Sequence, residues 1–262
     1  MQHRVNEPFT VVIPARYASS RLPGKPLVDI GGRPMCLRVY DRACRSGAAE
    51  VVLATDDRRI FDVAQQHDVR VLMTSTDHAS GTDRIAEVAA TLGLPDDRIV
   101  VNVQGDEPLV PPELISQAAS LLADDAQAEV ATLTTAFAAD ENPQSPNFVK
   151  VVTNDRGHAL YFSRAVIPYS RDSVDADGKD MRATRTAQLR RHVGIYAYRV
   201  SALSRLAAAP VCILESTEML EQLRCLWLGM CIAVADACVE PARGVDTEDD
   251  LRAVRAALAE AD

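Results

Sequence analysis

Between Pro8 and Val28 the chain carries no acidic residue, yet Arg16, Arg21 and Lys25 all fall in the stretch Pro14-Ala-Arg-Tyr-Ala-Ser-Ser-Arg-Leu-Pro-Gly-Lys-Pro26. The whole chain has 28 basic and 37 acidic residues and a net charge of −9, so this is a local concentration of positive charge against an acidic background. Gly24 permits a tight backbone, the prolines restrict it, and Ser19 and Ser20 add further donors. Such a loop can cradle a polyphosphate, each donor aimed at developing charge being worth about 3 kcal/mol of barrier. A solvated surface loop with incidental charges is the competing reading. A second set of residues is acidic. Asp106 and Glu107 follow the apolar run Ile99 to Val103, and Asp246 stands in Gly244-Val-Asp-Thr247, just before a closing helical pattern. Transfer chemistry on a triphosphate needs a hard cation, and Mg2+ takes carboxylate and phosphate oxygens while retaining water. Spacing alone leaves both choices open, because Asp106 can simply open an Asp-Glu-Pro turn and Asp246 can simply cap a helix.

These groups need a scaffold, and the chain has the pattern of one. Val11 to Ile13, Val51 to Ala54, Val69 to Leu72, Ile99 to Val103 and Val130 to Leu133 read as buried strands, with helical segments near 34–46, 57–67, 82–92 and 111–124 between them. That alternation predicts right-handed βαβ units in an α/β fold: a mostly parallel, Rossmann-like sheet flanked by helices. Ligands of such sheets bind beyond the carboxyl ends of the strands, where the basic loop, Thr55-Asp56, residues 73–82 and Gln104 to Pro108 all lie. Ser80 before the third helix reads equally as an N-cap or as a ligand contact at a helix start.

The second half is less regular. Val149 to Thr153 and Ala159 to Phe162, joined by Asn154-Asp155-Arg156-Gly157, predict a hairpin. Tyr169 to Thr186 reads as an exposed loop, His192 to Tyr198 as a strand, 216–228 as one helix, Met230 to Val234 as a strand and Thr247 onward as a helix. His192 and Tyr196, four apart, share one face of their strand. One domain over 1–262 is expected, with an antiparallel insertion at roughly 136–200.

Composition removes several classes. With 47% hydrophobic residues the chain supports a substantial core without disulfides or a structural metal. The six cysteines form no C-x-x-C pair, and they read as reduced thiols. The acidic balance argues against nucleic acid or an anionic membrane as partner. No apolar run approaches transmembrane length and the first residues are polar, so a cytoplasmic location is expected. Gly24-Lys25 is followed by Pro26, and neither a Walker pattern nor G-x-G-x-x-G occurs, which demotes an ATPase and a nicotinamide-dependent oxidoreductase.

The loop Pro14 to Pro26 closely resembles the signature of 3-deoxy-manno-octulosonate (KDO) cytidylyltransferases. The resemblance continues in order through His78-Ala-Ser-Gly-Thr-Asp-Arg84, Val101-Asn-Val-Gln-Gly-Asp-Glu-Pro108, Leu160-Tyr-Phe-Ser-Arg-Ala-Val-Ile-Pro168, His192-Val-Gly-Ile-Tyr196, Glu218-Met-Leu-Glu-Gln-Leu-Arg224 and Gly244-Val-Asp-Thr247. Related sialate cytidylyltransferases share the early Pro-Ala-Arg but usually continue it with a Gly-rich stretch. The resemblance implies a nucleotide-diphospho-sugar transferase type of fold and transfer of CMP from CTP to the anomeric 2-hydroxyl of the sugar acid. The product, CMP-KDO, would serve lipopolysaccharide biosynthesis. It implies that Arg16, Lys25, Asp106 and Asp246 are catalytic, that Asp106 and Asp246 hold Mg2+, and that Arg16, Ser19, Ser20, Arg21, Lys25, Ser80 and Gln104 meet the nucleotide. It assigns Arg164, His192, Tyr196, Glu221 and Gln222 to the sugar, and implies a homodimer whose insertion takes part in sugar binding and dimerisation. Tyr169 departs from the pattern, since many members carry Trp after Ile-Pro. A related acceptor, such as the 8-amino sugar or a sialic acid, and a non-catalytic nucleotide-binding module are the alternatives.

Overall fold

The computed structural model describes residues 7–18, 22–78, 80–139, 141–169 and 189–259. Along the chain come β1 (Phe9–Ala15), a 3-10 turn (Lys25–Leu27), α1 (Met35–Cys44), β2 (Glu50–Thr55), α2 (Arg58–Gln66), β3 (Val71–Met73), α3 (Gly81–Thr91), β4 (Ile99–Asn102), α4 (Pro112–Asp124) and β5 (Val130–Ala136). The second half adds β6 (Lys150–Thr153), β7 (Ala159–Ser163), β8 (Arg190–Arg199), α5 (Val200–Ala208), α6 (Ile213–Glu218), α7 (Gln222–Trp227), β9 (Ile232–Asp236) and α8 (Glu248–Ala259).

The strands form one nine-stranded sheet whose main path runs β3-β2-β1-β4-β8-β5-β9. The β3-β2-β1-β4 block is parallel throughout, and so is the β5-β9 pair. Val11, Val12 and Ile13 are all fully buried, as expected where helices cover both faces of a parallel sheet. One face, with Val11, Ile13, Leu53 and Val101, packs with Leu37, Ile60 and Ile115 from α1, α2 and α4. The other, with Val12, Val52, Val100, Tyr196 and Tyr198, packs with Ile85, Leu203 and Leu223 from α3, α5 and α7.

The antiparallel part is interleaved with the main sheet. β6 and β7 form the expected hairpin at its side, but β8 runs antiparallel between β4 and β5, in the sheet's interior. The single helix expected over 216–228 is instead two. α6 ends at Glu218, and Met219 adopts φ 51°, ψ 49°, a left-handed cap that lets Leu220 turn into the core. The break is tertiary in origin, because the Glu218 carboxylate accepts from Ser163 Oγ and from the Arg164 backbone, fixing the chain just where it turns. Helix α5 was not among the expected elements, although Val200, Leu203 and Leu206 recur at helical spacing and are buried. The expected loop from 169 lies almost entirely outside the described residues.

A third, smaller core bears directly on the basic loop. Leu22, Ile30 and Met35 pack against Val245, Leu251 and Val254, which joins the segment after β1 to the start of α8.

Candidate active site

At the carboxyl ends of β1 and β4 lies a cleft of about 350 Å3, lined by Arg16, Lys25, Gln104, Gly105, Asp106 and Asp246 among others. Local backbone chemistry places each of these groups. Lys25 begins the 3-10 turn, preceded by Gly24 at φ 69° and followed by Pro26. A Cβ on Gly24 would stand 3.0 Å from the Tyr17 hydroxyl, so this position needs glycine both for its backbone angle and for the ring packed on it. The Arg59 guanidinium covers the same ring, 3.3 Å from its centroid, while its other bonds go to Asp57. Asp106 is positioned by Gly105, where a Cβ would meet the Pro14 carbonyl oxygen at 2.7 Å; only a residue without a side chain lets this loop lie so close to β1. Asp246 arrives from the far end of the chain: the small third core carries Val245 inward, and its backbone N–H donates to the Asp106 carbonyl at 2.8 Å.

Groups up to 221 positions apart therefore meet. Lys25 Nζ donates to Asp106 Oδ2 at 2.6 Å, to the Val245 carbonyl at 2.8 Å and to Asp246 Oδ1 at 3.1 Å. Glu107 lies beside them, against Gly244 and facing Gly194. Burial first, and the neighbouring Asp106 second, push its carboxyl up to about 8, which keeps it largely protonated at neutral pH. Arg16 lines the cleft while donating to the carbonyls of His78 at 2.9 Å and Ser80 at 2.7 Å. The His78 imidazole in turn pairs with Glu87, which also accepts from the Ser75 N–H, so Ser75 and His78 are braced against α3.

Ser80 stands at the start of α3 as its N-cap. Its hydroxyl accepts from the Asp83 N–H while the Asp83 carboxylate accepts from the Ser80 N–H, a reciprocal capping box on α3. Gln104 lines the cleft; Ser19, Ser20 and Arg21 lie outside the described residues. Arg84, the last residue of the same motif, is fully buried, paired with Asp56 at 2.5 Å and bonded to Thr74.

The residues assigned to the sugar form a second group, joined to the first through α3. Tyr196 and His192 sit on one face of β8 with ring centroids 5.2 Å apart, and Phe162 meets the histidine edge-on at 5.3 Å. A register shift opposite Thr132 and Leu133 takes up Gly194 and Ile195, an even number of residues, so the shared face survives. His192 keeps some accessible surface, but its ring is enclosed by Phe162, Tyr196 and the Thr132 hydroxyl; burial, then Arg191, pushes it down to about 3. The Tyr196 hydroxyl is buried without a hydrogen-bond partner. Glu221 accepts from the Thr82 hydroxyl at 2.6 Å and from Arg224 at 3.1 Å, linking α7 to the start of α3, and Gln222 is buried beside it. Arg164 is turned away from this group. Its three guanidinium nitrogens donate to the carbonyls of Glu218, Pro146 and Met219, which makes it a clamp between β7 and the α6–α7 junction.

The cytidylyltransferase family model matches residues 10–232. The chain belongs to the cytidylyltransferase family. The 3-deoxy-manno-octulosonate cytidylyltransferase of Idiomarina loihiensis is 53% identical over 249 residues, covering 94% of this chain and 97% of the relative. That of Hahella chejuensis is 54% identical over 252 residues, with 96% and 98% covered. A solved CMP:2-keto-3-deoxy-manno-octonic acid synthetase complexed with CTP superposes with a TM-score of 0.85 at 42% identity, covering 97% of this chain and all of the other. As in that fold, the cytidylyltransferase chain here carries a mostly parallel sheet between helical layers, with antiparallel strands added.

Proposed function

We infer that this chain transfers CMP from CTP to the anomeric 2-hydroxyl of 3-deoxy-manno-octulosonate, releasing pyrophosphate and giving the activated sugar for lipopolysaccharide biosynthesis. The observation that carries the reading is the convergence of Arg16, Lys25, Asp106 and Asp246 on one cleft at the ligand-binding end of the sheet, in a chain alike over nearly its whole length to enzymes named for this reaction. Arg16 and Lys25 hold and orient the triphosphate, so that the α-phosphorus faces the sugar side and pyrophosphate is the leaving group. The sugar hydroxyl attacks in line, and no covalent enzyme intermediate is needed.

The acidic pair fits Mg2+. Asp106 Oδ2, Asp246 Oδ1 and the Val245 carbonyl already gather around a cationic nitrogen, and all three are hard oxygen donors of the kind this ion accepts. Asp106 and Asp246 would hold it, and when bound it supplies neutralisation of the phosphates and activation of the attacking hydroxyl. The neutral His192, the Tyr196 hydroxyl, Glu221 and Gln222 offer uncharged and anionic partners for sugar hydroxyls. Exposed apolar side chains at Leu160, Ile213, Met219 and Trp227 support assembly as a homodimer. The six unpaired cysteines accord with a reducing, cytoplasmic setting, and no helix among the described residues is long and apolar enough to cross a membrane.

The deciding experiment mixes the protein with CTP, Mg2+ and each of several sugar acids, following pyrophosphate release and the mass of the CMP-sugar. Turnover with 3-deoxy-manno-octulosonate, exceeding that with its 8-amino analogue and a sialic acid, is expected. CTP binding without turnover on any acceptor would leave a nucleotide-binding module instead.

A further inference from the structure

We propose that Lys25 is the resident counterion of the acidic pair: its ammonium occupies the metal's place until a triphosphate draws it away, so the divalent cation enters only together with the nucleotide. This rests on the functional reading above and adds an order of binding to it. A lysine ammonium has three N–H donors. Here it meets three acceptors, Asp106 Oδ2, the Val245 carbonyl and Asp246 Oδ1, at 2.6, 2.8 and 3.1 Å. The ammonium's three hydrogen bonds are thus satisfied without a metal, and it offsets one of the two carboxylate charges.

The base of Lys25 is fixed while its tip is not. Gly24 and Pro26 hold the backbone in the 3-10 turn, and Leu22 and Ile30 anchor the segment in the small core on either side. The four-carbon stem carries a point charge that redirects by bond rotation alone. Its side chain is only 13% exposed, whereas those of Asp106 and Asp246 are 34% and 48% exposed, so the carboxylates are open to an approaching ligand while the ammonium is held among them.

An ammonium and a divalent cation seated together in this cage repel each other, which weakens the metal's hold on the acids. Among the described residues no group of three or more His, Cys, Asp or Glu side chains gathers, so a free Mg2+, which sheds water reluctantly, finds two carboxylates already engaged. A triphosphate alters both terms. Its oxygens offer the ammonium new, charge-assisted acceptors, and they bring a metal that is already partly neutralised. Lysine moves from carboxylate to phosphate as the metal moves onto the carboxylates.

Mn2+ serves as the probe, its binding measured by electron paramagnetic resonance on the full chain with and without CTP. Wild type is expected to bind Mn2+ weakly alone and at least about tenfold more tightly with CTP. Lys25→Met is expected to bind Mn2+ alone at least about tenfold more tightly than wild type, and Asp246→Asn in that background to abolish the gain. Equal Mn2+ affinity of wild type and Lys25→Met without nucleotide, or a gain that survives Asp246→Asn, overturns the proposal. Should Lys25→Met fail to fold by circular dichroism, wild type decides alone: Mn2+ bound equally with and without CTP overturns it. Pyrophosphate release by wild type on the sugar acid is scored separately, so failure of the functional reading is distinguishable from failure of the counterion role.

Discussion

His192 is a base that the fold holds neutral. Its folded value is about 3 against an ordinary 6.5, through burial and the nearby Arg191, so between these limits the unfolded chain binds a proton that the native one refuses. Stability therefore falls as pH drops below 6.5, with a slope approaching about 1.4 kcal/mol per pH unit from this residue alone. Urea unfolding at pH 6.5 and 5 should show His192→Gln losing less stability than wild type over that interval; equal losses would mean that the imidazole protonates in place. Arg84 makes the opposite case, a charge buried for architecture. It ties α3 to Asp56 after β2 and to Thr74 after β3. Arg84→Met leaves the Asp56 carboxylate without this cation, and a loss of about 3–5 kcal/mol in denaturant unfolding is expected. Residue type did not reveal this role, because an arginine beside a ligand-binding motif looks alike whether it faces a phosphate or a carboxylate. The carbonyl partners of Arg164 were hidden for the same reason, since no linear pattern places them nearby.

At the scale of elements, short loops set the geometry. Gly105→Ala puts a carbon 2.7 Å from the Pro14 carbonyl oxygen, so the loop bearing Asp106 must move away from β1. A loss of about 1–3 kcal/mol in thermal unfolding should accompany reduced turnover, and an unchanged rate would show that Asp106 tolerates the shift. Met219 is a simpler test of strain, since the residue is 75% exposed while its backbone is left-handed. Met219→Gly should raise unfolding stability by up to about 1 kcal/mol, whereas Met219→Ala should not. These elements also mark the limits of pattern reading. The βαβ half was legible to within a few residues, because runs such as Val11 to Ile13 and caps such as Asp57 and Ser80 are local signals. The α6–α7 break was not, since no glycine or proline announces it and its cause is Glu218 reaching across to β7.

For the whole molecule, the −9 net charge disfavours polyanionic surfaces generally, while the cleft sets Arg16 and Lys25 against Asp106 and Asp246. Light scattering after size exclusion should give twice the 28.4 kDa chain mass if the exposed apolar side chains pair two copies; a monomer at micromolar concentration would refute the homodimer. The meeting of Lys25, Asp106 and Asp246 was expected from the family resemblance; what the sequence did not show is the means, a minor core of six buried residues that no periodicity betrays. The place of β8 between β4 and β5 was equally hidden. Both features bear on biosynthesis. A ribosome making this protein in order can complete the parallel half early, but the edges of β4 and β5 stay uncovered until β8 emerges, and the anion cradle gains its final acid only when α8 is docked. The nascent chain thus lacks Asp246, and the small core that seats it, until the stretch from Val245 to Val254 has emerged.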